Sequence, residues 1–361
     1  MEGKSLNSQQ QLAELAKKIK QWGQELGFAQ VGISDIDLTE AEQNLNNWLN
    51  KGFHGDMDYM QRHGEKRSRP ALLHEGTVRV ISVRMPYLSE SQHAMQQHLD
   101  NPTAAYISRY ALGRDYHKMM RQRLQKLIEK IQIEHPNSNM RAFSDSAPVL
   151  EKALAEKAGL GWIGKHSNLI NRQAGSYFFL GEIYTDLELP TDEKASTHCG
   201  SCTACIKVCP TGAIVAPYQV DARLCVSYLT IEHHGIIPEH LRPLIGNRIY
   251  GCDDCQIICP WNRFANLTKE PDFNPRHQLN QQQLLDVFAW TETEFLTKTE
   301  GSAIRRIGYQ RWLRNIAVAL GNAPASLEII EQLKTKLNHD SDLVTHHVSW
   351  ALAKQLSALT S

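Results

Sequence analysis

The chain has 361 residues and a formal net charge of zero, with 39 Lys and Arg residues against 39 Asp and Glu residues. This length allows two or three domains with substantial hydrophobic cores. A zero net charge gives no global attraction for nucleic acid, so any such surface must be local. No apolar run reaches the roughly eighteen residues that a membrane span needs, and the polar beginning of the chain lacks a signal-peptide pattern.

The first 190 residues contain alternating helical and strand patterns. Apolar residues from Leu12 to Leu26 form a helical stripe that predicts a core-facing helix over 9–27. The β-branched run from Val78 to Met85 indicates a buried strand. Weaker patterns predict a strand over 28–33, a helix over 40–49, a long helix ending near 133, a helix over 149–158 and a strand over 175–189.

Polar and basic segments between these elements have ordinary structural interpretations. The basic stretch 59–70 is typical of a solvated loop, and Asp115 to His117 can cap the helix that follows. The order Asp-x-His is shared with a cobalamin-binding motif, Asp-x-His-x-x-Gly, but Met120 stands where that motif needs glycine. Asp145 sits at a strand-to-helix turn, where a carboxylate either caps the helix or faces a site.

The glycine-rich stretch 159–165 matches two nucleotide-binding patterns only in part. It has the spacing G-x-G-x-x-G, but it follows a helix rather than a strand, so the Rossmann context fails. It also lacks a P-loop's Ser or Thr, because His166 stands in that place. We interpret it as a helix end followed by a loop whose backbone can approach a large ligand.

All eight cysteines of the chain lie between Cys199 and Cys259. The first four have the C-x2-C-x2-C-x3-C-P spacing of two-cluster ferredoxins. In that pattern three closely spaced cysteines hold one 4Fe–4S cluster, and the fourth ligates the other cluster. We therefore predict two clusters, the first held by Cys199, Cys202, Cys205 and Cys259, and the second by Cys209, Cys225, Cys252 and Cys255.

Two other uses of cysteine were weighed. A disulfide framework is typical of small chains in an oxidising compartment. Structural zinc uses C-x2-C pairs, whereas a triple-cysteine run followed by C-P is not a zinc pattern. Oxygen-sensitive clusters without spare cysteines indicate a cytoplasmic protein.

The region after residue 281 is predicted to be helical and contains an internal repeat. Residues 313–321 match residues 345–353 at an offset of 32, which suggests a HEAT-like pair of helices. A basic cluster with interleaved aromatic residues precedes and enters this repeat, and it could contact RNA or simply be a solvated helix. The cluster consists of Arg305, Arg306, Arg311 and Arg314 around Tyr309 and Trp312.

Several segments together resemble the epoxyqueuosine reductases, over roughly residues 10 to 355. The resemblance rests on the isolated Cys225, the segments Ser144–Lys152 and Ile245–Cys255, and the stretches Gly161–Lys165 and Arg311–Asn315. It implies an α+β fold: an N-terminal α/β cobalamin-binding domain (1–190), a ferredoxin-like domain with two 4Fe–4S clusters (191–270) and a HEAT-like, tRNA-binding tail (271–361).

The resemblance also implies the reaction and its site. The family reduces the epoxide of epoxyqueuosine at the tRNA wobble position, with cobalamin fed by the clusters and an external electron donor. It implies base-off cobalamin without a protein histidine on cobalt, and Asp145 as an acid that burial should keep protonated. Expected cofactor contacts are Arg67, Ser108, Asp145, Leu169, Ser227, His233 and His234, and expected tRNA contacts are Arg305, Arg306, Arg311 and Arg314.

Two rival functions remain open at this point. A small-molecule reductive dehalogenase shares the cofactor chemistry, but the chain has an arginine-rich tail and no export signal. A pure electron-transfer module would need only the cluster region and would leave about 190 residues unexplained. We expect a monomer that does not bind membranes.

Overall fold

The computed structural model describes residues 8–360. The predicted domain ranges also include residues 1–7 and 361, which lie outside the described residues. The elements up to residue 185 are α1 (Ser8–Glu25), β1 (Gln30–Ser34), α2 (Thr39–Asn50), α3 (Tyr59–Arg62), α4 (Pro70–Leu73), β2 (Arg79–Pro86), α5 (Gln92–Asp100), β3 (Tyr106–Ile107), α6 (Tyr116–Glu134), β4 (Met140–Phe143), α7 (Glu151–Lys157), β5 (Trp162–Ile163), β6 (Leu169–Ile170) and β7 (Phe178–Thr185).

A four-stranded sheet with the order β1-β2-β7-β4 organises this region, and each of its ladders is antiparallel. The predicted strand in the β-branched run is confirmed as β2, which pairs with β1 on one side and β7 on the other. Because β2 is central, Val80 and Ile81 are buried on opposite faces of the sheet. Helices combined with an antiparallel sheet give a mixed helix-and-strand fold.

Helices α1 and α6 cover one face of this sheet. The apolar stripe predicted for the first helix is confirmed, because Leu15 and Ile19 of α1 are buried in one core with Leu124 and Ile131 of α6. Neither helix is long and apolar enough to cross a membrane, and the same holds for every helix between residues 8 and 360.

The cysteine region contains short elements joined by loops. They are α8 (Ala204–Val208), β8 (Ile214–Ala216), β9 (Gln219–Val220), α9 (Val226–Ile231), α10 (Arg242–Ile245), β10 (Arg248–Tyr250) and α11 (Asp254–Ile257). Strand β10 pairs in parallel with β3, so the last cysteine loop is attached directly to the N-terminal region.

The remaining helices are α12 (Leu284–Phe288), α13 (Glu292–Lys298), α14 (Gly308–Asn322), α15 (Leu327–Lys334) and α16 (Asp342–Leu359). The two repeat segments found in the sequence lie in α14 and α16, which pack against each other. Gly321 of α14 permits this approach, since a Cβ there would lie 2.5 Å from the ring of Trp350. The core around α14 also includes Ile107 and Leu112 from the N-terminal region.

Helix α14 holds the backbone of the cysteine region through two buried polar side chains. Arg314 is 0% exposed and donates from Nη1 to the carbonyls of His233 and Gly235, at 2.7 and 2.9 Å, and from Nη2 to that of Leu229, at 2.7 Å. Asn315 donates from Nδ2 to the carbonyls of residues 230 and 249. These contacts fix the segment that contains α9.

The expectation that Arg314 contacts tRNA phosphates is therefore wrong. Its guanidinium has no solvent-facing surface, and its hydrogen-bond donors bind backbone carbonyls. Burial lowers its pKa to about 9. Arg311 has a similar internal role, because it donates to the carbonyls of Ile307, Ile231 and Arg306 and is only partly exposed.

We expect Arg314→Ala to lower the free energy of unfolding by about 3 kcal/mol, because three buried carbonyls lose charged donors. The measurement is the shift of the urea midpoint under anaerobic conditions. The matched control is Arg305→Ala, since Arg305 is exposed and makes one hydrogen bond to a carbonyl. That variant should stay within about 0.5 kcal/mol of the parent. Equal midpoints for both variants would contradict the structural role of Arg314.

Candidate active site and cysteine centres

The structure brings the first predicted group of four cysteines together. Cys199, Cys202, Cys205 and Cys259 line one cavity. Helix α8 follows the first two cysteines and carries Cys205, while α11 delivers Cys259 from the other end of the cysteine region. Cys202 is exposed, whereas Cys205 and Cys259 are buried.

The second predicted group also lies together. The pKa of Cys255 is raised well above the ordinary thiol value, first by burial and then by the negative charges of neighbours that include Cys225 and Cys209. The pKa of Cys252 is raised in the same way by burial, with Cys225 and Cys255 among its charged neighbours. Thiolates that are buried and lie close to one another need nearby positive charge, which ligated iron supplies.

Neighbouring side chains hold the first cysteine loop in place. Lys165 donates from Nζ to the carbonyls of Gly200 and Cys202, at 2.6 and 2.8 Å. Trp162 donates its indole N–H to the sulfur of Cys199 at 3.5 Å. Hydrogen bonds to cysteine sulfur are among the contacts that tune iron–sulfur clusters. Two groups of four thiols on preformed loops thus fit iron–sulfur clusters.

A buried carboxylate ties the last cysteine loop to the N-terminal region. Asp253 is 1% exposed and accepts hydrogen bonds from the hydroxyls of Tyr106 and Ser108, at 3.0 and 2.6 Å, and from the backbone N–H of Arg109 at 2.9 Å. Ser108 was expected to contact a cofactor, and its hydroxyl is engaged here with Asp253.

Asp145 follows β4 at the predicted strand-to-helix turn, and its side chain is about half exposed. Its φ of 52° is in the left-handed region, which few non-glycine residues adopt and which aspartate tolerates. Its backbone N–H donates to Oε1 of Glu151 at 2.5 Å, which fixes this conformation. Its Oδ2 lies 2.9 Å from Nε2 of His117, whose Nδ1 lies 2.5 Å from Oδ1 of Asp115.

The expectation that burial keeps Asp145 protonated is wrong for this arrangement. Burial raises the pKa of Asp145, but the hydrogen bond from His117 and its positive charge outweigh burial and lower the pKa below its ordinary value. Burial lowers the pKa of His117, but its contacts with Asp115 and Asp145 outweigh that effect and raise the pKa to about 9. At neutral pH the proton of this pair therefore resides on His117.

Two buried acids lie behind Asp145. Burial and the charge of Asp145 raise the pKa of Glu151 to about 7. Glu182 of β7 is 0% exposed, and burial together with the adjacent Glu151 raises its pKa well above the ordinary value. Neighbouring acids whose pKa values are pushed in opposite directions are a frequent feature of sites that move protons.

Two basic side chains from distant parts of the chain, Arg67 and Arg306, lie close enough to Asp145 to interact with its charge. Arg67 is 6% exposed and donates from Nη2 to the carbonyl of Tyr59 at 2.7 Å, while its buried Nε has no hydrogen-bond partner among residues 8–360. Arg306, in the 3₁₀ helix Ala303–Ile307, forms an ion pair with Glu232 at 2.9 Å, and its charge acts on Asp145. The site is thus formed by all three predicted regions.

The other residues expected to contact a cofactor differ in burial and in hydrogen-bond partners. Leu169 of β6 is 3% exposed and packs in an apolar cluster, and Ser227 of α9 is partly buried. His233 has Nδ1 2.8 Å from Oδ2 of Asp56 and Nε2 3.1 Å from the carbonyl of Ile236. His234 is exposed.

Sequence reasoning missed several residues of this site. His117 was interpreted as part of a helix cap, and Glu151 and Glu182 were not considered. The density of hydrogen-bonding side chains around Asp115 was a usable signal. A glutamate within the otherwise apolar strand β7 was another, because a buried charge usually has a partner or a function.

Two protein-family descriptions match the chain. Residues 198–262 match a 4Fe-4S double cluster binding domain, and residues 67–146 match the family described as Epoxyqueuosine reductase QueG, DUF1730. Among solved structures, epoxyqueuosine reductase with an epoxyqueuosine-modified tRNA-Tyr stem loop matches with a TM-score of 0.86 at 26% identity, covering 95% of this chain and 91% of that one.

Curated relatives show the same similarity at higher identity. The chain is 60% identical over 343 residues to epoxyqueuosine reductase of Pseudomonas aeruginosa, with 95% of each chain covered. It is 60% identical over 345 residues to the enzyme of Escherichia coli, with 96% of this chain and 90% of the relative covered. With this identity over almost its whole length, the chain belongs to the epoxyqueuosine reductase family and is a reductase.

Proposed function

We propose that the protein reduces the epoxide of epoxyqueuosine at the tRNA wobble position to the alkene of queuosine. The observation that carries this proposal is the half-exposed carboxylate of Asp145, paired with His117 and close to the charges of Arg67 and Arg306, in a chain whose eight cysteines fall into two groups of four. The solved relative with a modified tRNA stem loop supports the substrate assignment. We further propose that the protein works in the cytoplasm as a monomer and takes electrons from an external donor.

The reaction needs two electrons and two protons, and it releases the epoxide oxygen as water. Bound cobalamin supplies a strongly reducing cobalt nucleophile for carbon. The two cysteine groups would hold 4Fe–4S clusters, which would supply electrons one at a time. Asp145 gives a proton to the departing oxygen, which is worth a factor of roughly 10² to 10⁴ in rate. The wobble base must leave the anticodon stack to reach Asp145.

Several residues fit a cobalamin site. The unpaired Nε of Arg67 is available for an acceptor group on the cofactor. Ser108, Leu169, Ser227, His233 and His234 remain proposed contacts. Both ring nitrogens of His233 already face protein oxygen atoms, as do those of His117. This supports base-off cobalamin without a protein histidine on cobalt.

The finer domain layout is also proposed. Residues 1–190 form the cobalamin-binding domain, residues 191–270 the two-cluster domain, and residues 271–361 a HEAT-like tail. The packing of the two repeat segments in α14 and α16 supports the repeat. Within the tail, Arg305 and Arg306 are exposed and remain proposed tRNA contacts. Arg306 is the stronger candidate because its charge acts on Asp145.

The cluster assignment predicts about eight irons per chain after anaerobic reconstitution. Cys259→Ala and Cys225→Ala should each retain about four, because each removes one ligand of a different cluster. Iron and sulfide analysis is the measurement. Ser201→Ala, an exposed change in the same loop as Cys202, should keep the parent value. Four irons in the parent, or zinc in place of iron, would overturn the assignment.

Asp145→Asn should reduce turnover at least roughly a hundredfold, because the amide cannot deliver a proton. Asparagine also tolerates a positive φ, so the turn should keep its shape. Turnover is followed as conversion of epoxyqueuosine to queuosine in purified tRNA, with iron content and tRNA affinity as controls. Normal turnover would reduce Asp145 to a structural turn residue.

Arg306→Gln should weaken tRNA binding and reduce the slope of log affinity against log salt by roughly 0.7 to 0.9, if one phosphate contact is lost. Arg305→Gln should act in the same direction. Affinity is measured at several salt concentrations. Lys17→Gln removes an exposed positive charge from α1 and serves as the control. If both arginine variants bind like Lys17→Gln at every salt concentration, the tRNA surface lies elsewhere.

A further inference from the structure

His117 lies between two carboxylates that come from different parts of the fold. Its Nδ1 is 2.5 Å from Oδ1 of Asp115, the residue that caps α6, and its Nε2 is 2.9 Å from Oδ2 of Asp145. The ring is stacked on Tyr116, with 4.3 Å between centroids, and Tyr116 is stacked on Phe179 of the sheet. This stacking fixes the ring plane and aims Nε2 at Asp145.

The two contacts determine the charge of the ring. A carboxylate can only accept a hydrogen bond, so an imidazole that faces one on each nitrogen must donate from both. Both nitrogens then carry hydrogen, and the ring is a cation. This conclusion holds while both carboxyl groups are ionised, which the lowered pKa values of Asp115 and Asp145 support, and the raised pKa of His117 agrees with it.

Other charged and titratable side chains surround His117 and Asp145. They come from each of the elements that pack around these two residues. Negative or acidic groups are supplied by α3, α6, α7 and β7, and positive groups by the loop around residue 67, by α6, by α7 and by the 3₁₀ helix near residue 306. These groups are Glu151, Glu182, Tyr59, Tyr116, Arg67, Arg121, Lys152 and Arg306. Among residues 8–360, only Asp115 and Asp145 form a hydrogen bond or ion pair with the ring of His117.

We propose that His117 holds the proton that Asp145 delivers to the substrate oxygen, and that Asp115 positions His117 for this purpose. This inference rests on the proposed epoxide reduction. In each transfer the Nε2–H bond of His117 breaks as an O–H bond forms on Asp145. That O–H bond then breaks as one forms on the substrate oxygen, and neutral His117 regains a proton from solvent. The two electrons that each reduction needs would come from the proposed external donor.

The arrangement explains how an ionised Asp145 can still act as an acid. The side chain of Asp145 is 52% exposed, whereas that of His117 is 24% exposed. Asp145 is therefore the more accessible of the two groups to a substrate. His117 is thus a positioning and proton-holding residue, and Asp145 is the group that touches the substrate.

The test compares His117→Gln, Asp115→Asn and the control Lys118→Gln, an exposed change on the same helical turn. His117→Gln keeps an N–H donor for Asp145 but holds no transferable proton. We expect its turnover at pH 7.5 to fall roughly a hundredfold and the alkaline limb of its pH–rate profile to move from near 9 to lower pH. Asp115→Asn should keep the helix cap and move this limb only partway, because one carboxylate still faces the ring.

A structural role alone would lower turnover without moving the alkaline limb, and that result would overturn the proposal. Iron content and tRNA affinity should match the parent in all three variants. The second readout needs no turnover: the ring nitrogens of His117, identified by their loss in His117→Gln, are followed by NMR from pH 5 to 10. Titration near 9 supports the proposal, and titration near 6.5 refutes it.

These two readouts also separate the inference from the proposed function. If the parent protein does not reduce the epoxide, the proposed function fails, while the ring titration still reports where the proton resides. If the parent reduces the epoxide and His117→Gln keeps both its rate and its alkaline limb, the inference alone fails.

Discussion

Asp253 lies between Cys252 and Cys255 in the sequence, and its side chain is almost completely buried. An isolated carboxylate at such a depth is strongly disfavoured, and the hydrogen bonds from Tyr106, Ser108 and Arg109 compensate for its burial. Because all three donors belong to the N-terminal region, this one acceptor fixes the second cysteine loop relative to the sheet. This contact therefore joins the loop that carries Cys252 and Cys255 to the N-terminal region.

Helix α14 provides a second constraint on the backbone of the cysteine region. Arg314 and Asn315 donate hydrogen bonds to backbone carbonyls of the segment that contains α9. This helix begins directly after Cys225. A short irregular segment leaves many carbonyls without partners, and a planar guanidinium can satisfy several of them at once. The arginine-rich sequence of α14 therefore serves the interior as well as the surface. Of the four arginines in the basic cluster, only Arg305 and Arg306, which precede the helix, are exposed.

Local patterns in the sequence were sufficient for the main strands, the long helices and the grouping of the cysteines. The reason is that the cysteine spacing and the hydrophobic periodicity are short-range properties. The burial of Arg314 could not be predicted in this way, because a helix shows which residues share a face but not which face packs inward. The contact between His117 and Asp145 spans 28 residues and depends on how α6 meets the end of β4. The sequence therefore singled out Asp145, but the expectation that burial keeps it protonated was wrong.

The conformation of Asp145 and its acidity are controlled by different neighbours. Its backbone N–H is held by Glu151, and a carboxyl group accepts such a hydrogen bond whether it is ionised or protonated. Titration of the Glu151 and Glu182 pair therefore leaves the left-handed turn anchored. The contact with His117 depends on charge, since it weakens once the imidazolium has given up its proton. The carboxyl group can thus change its protonation state while the backbone that carries it stays in place, as repeated proton delivery to one position requires.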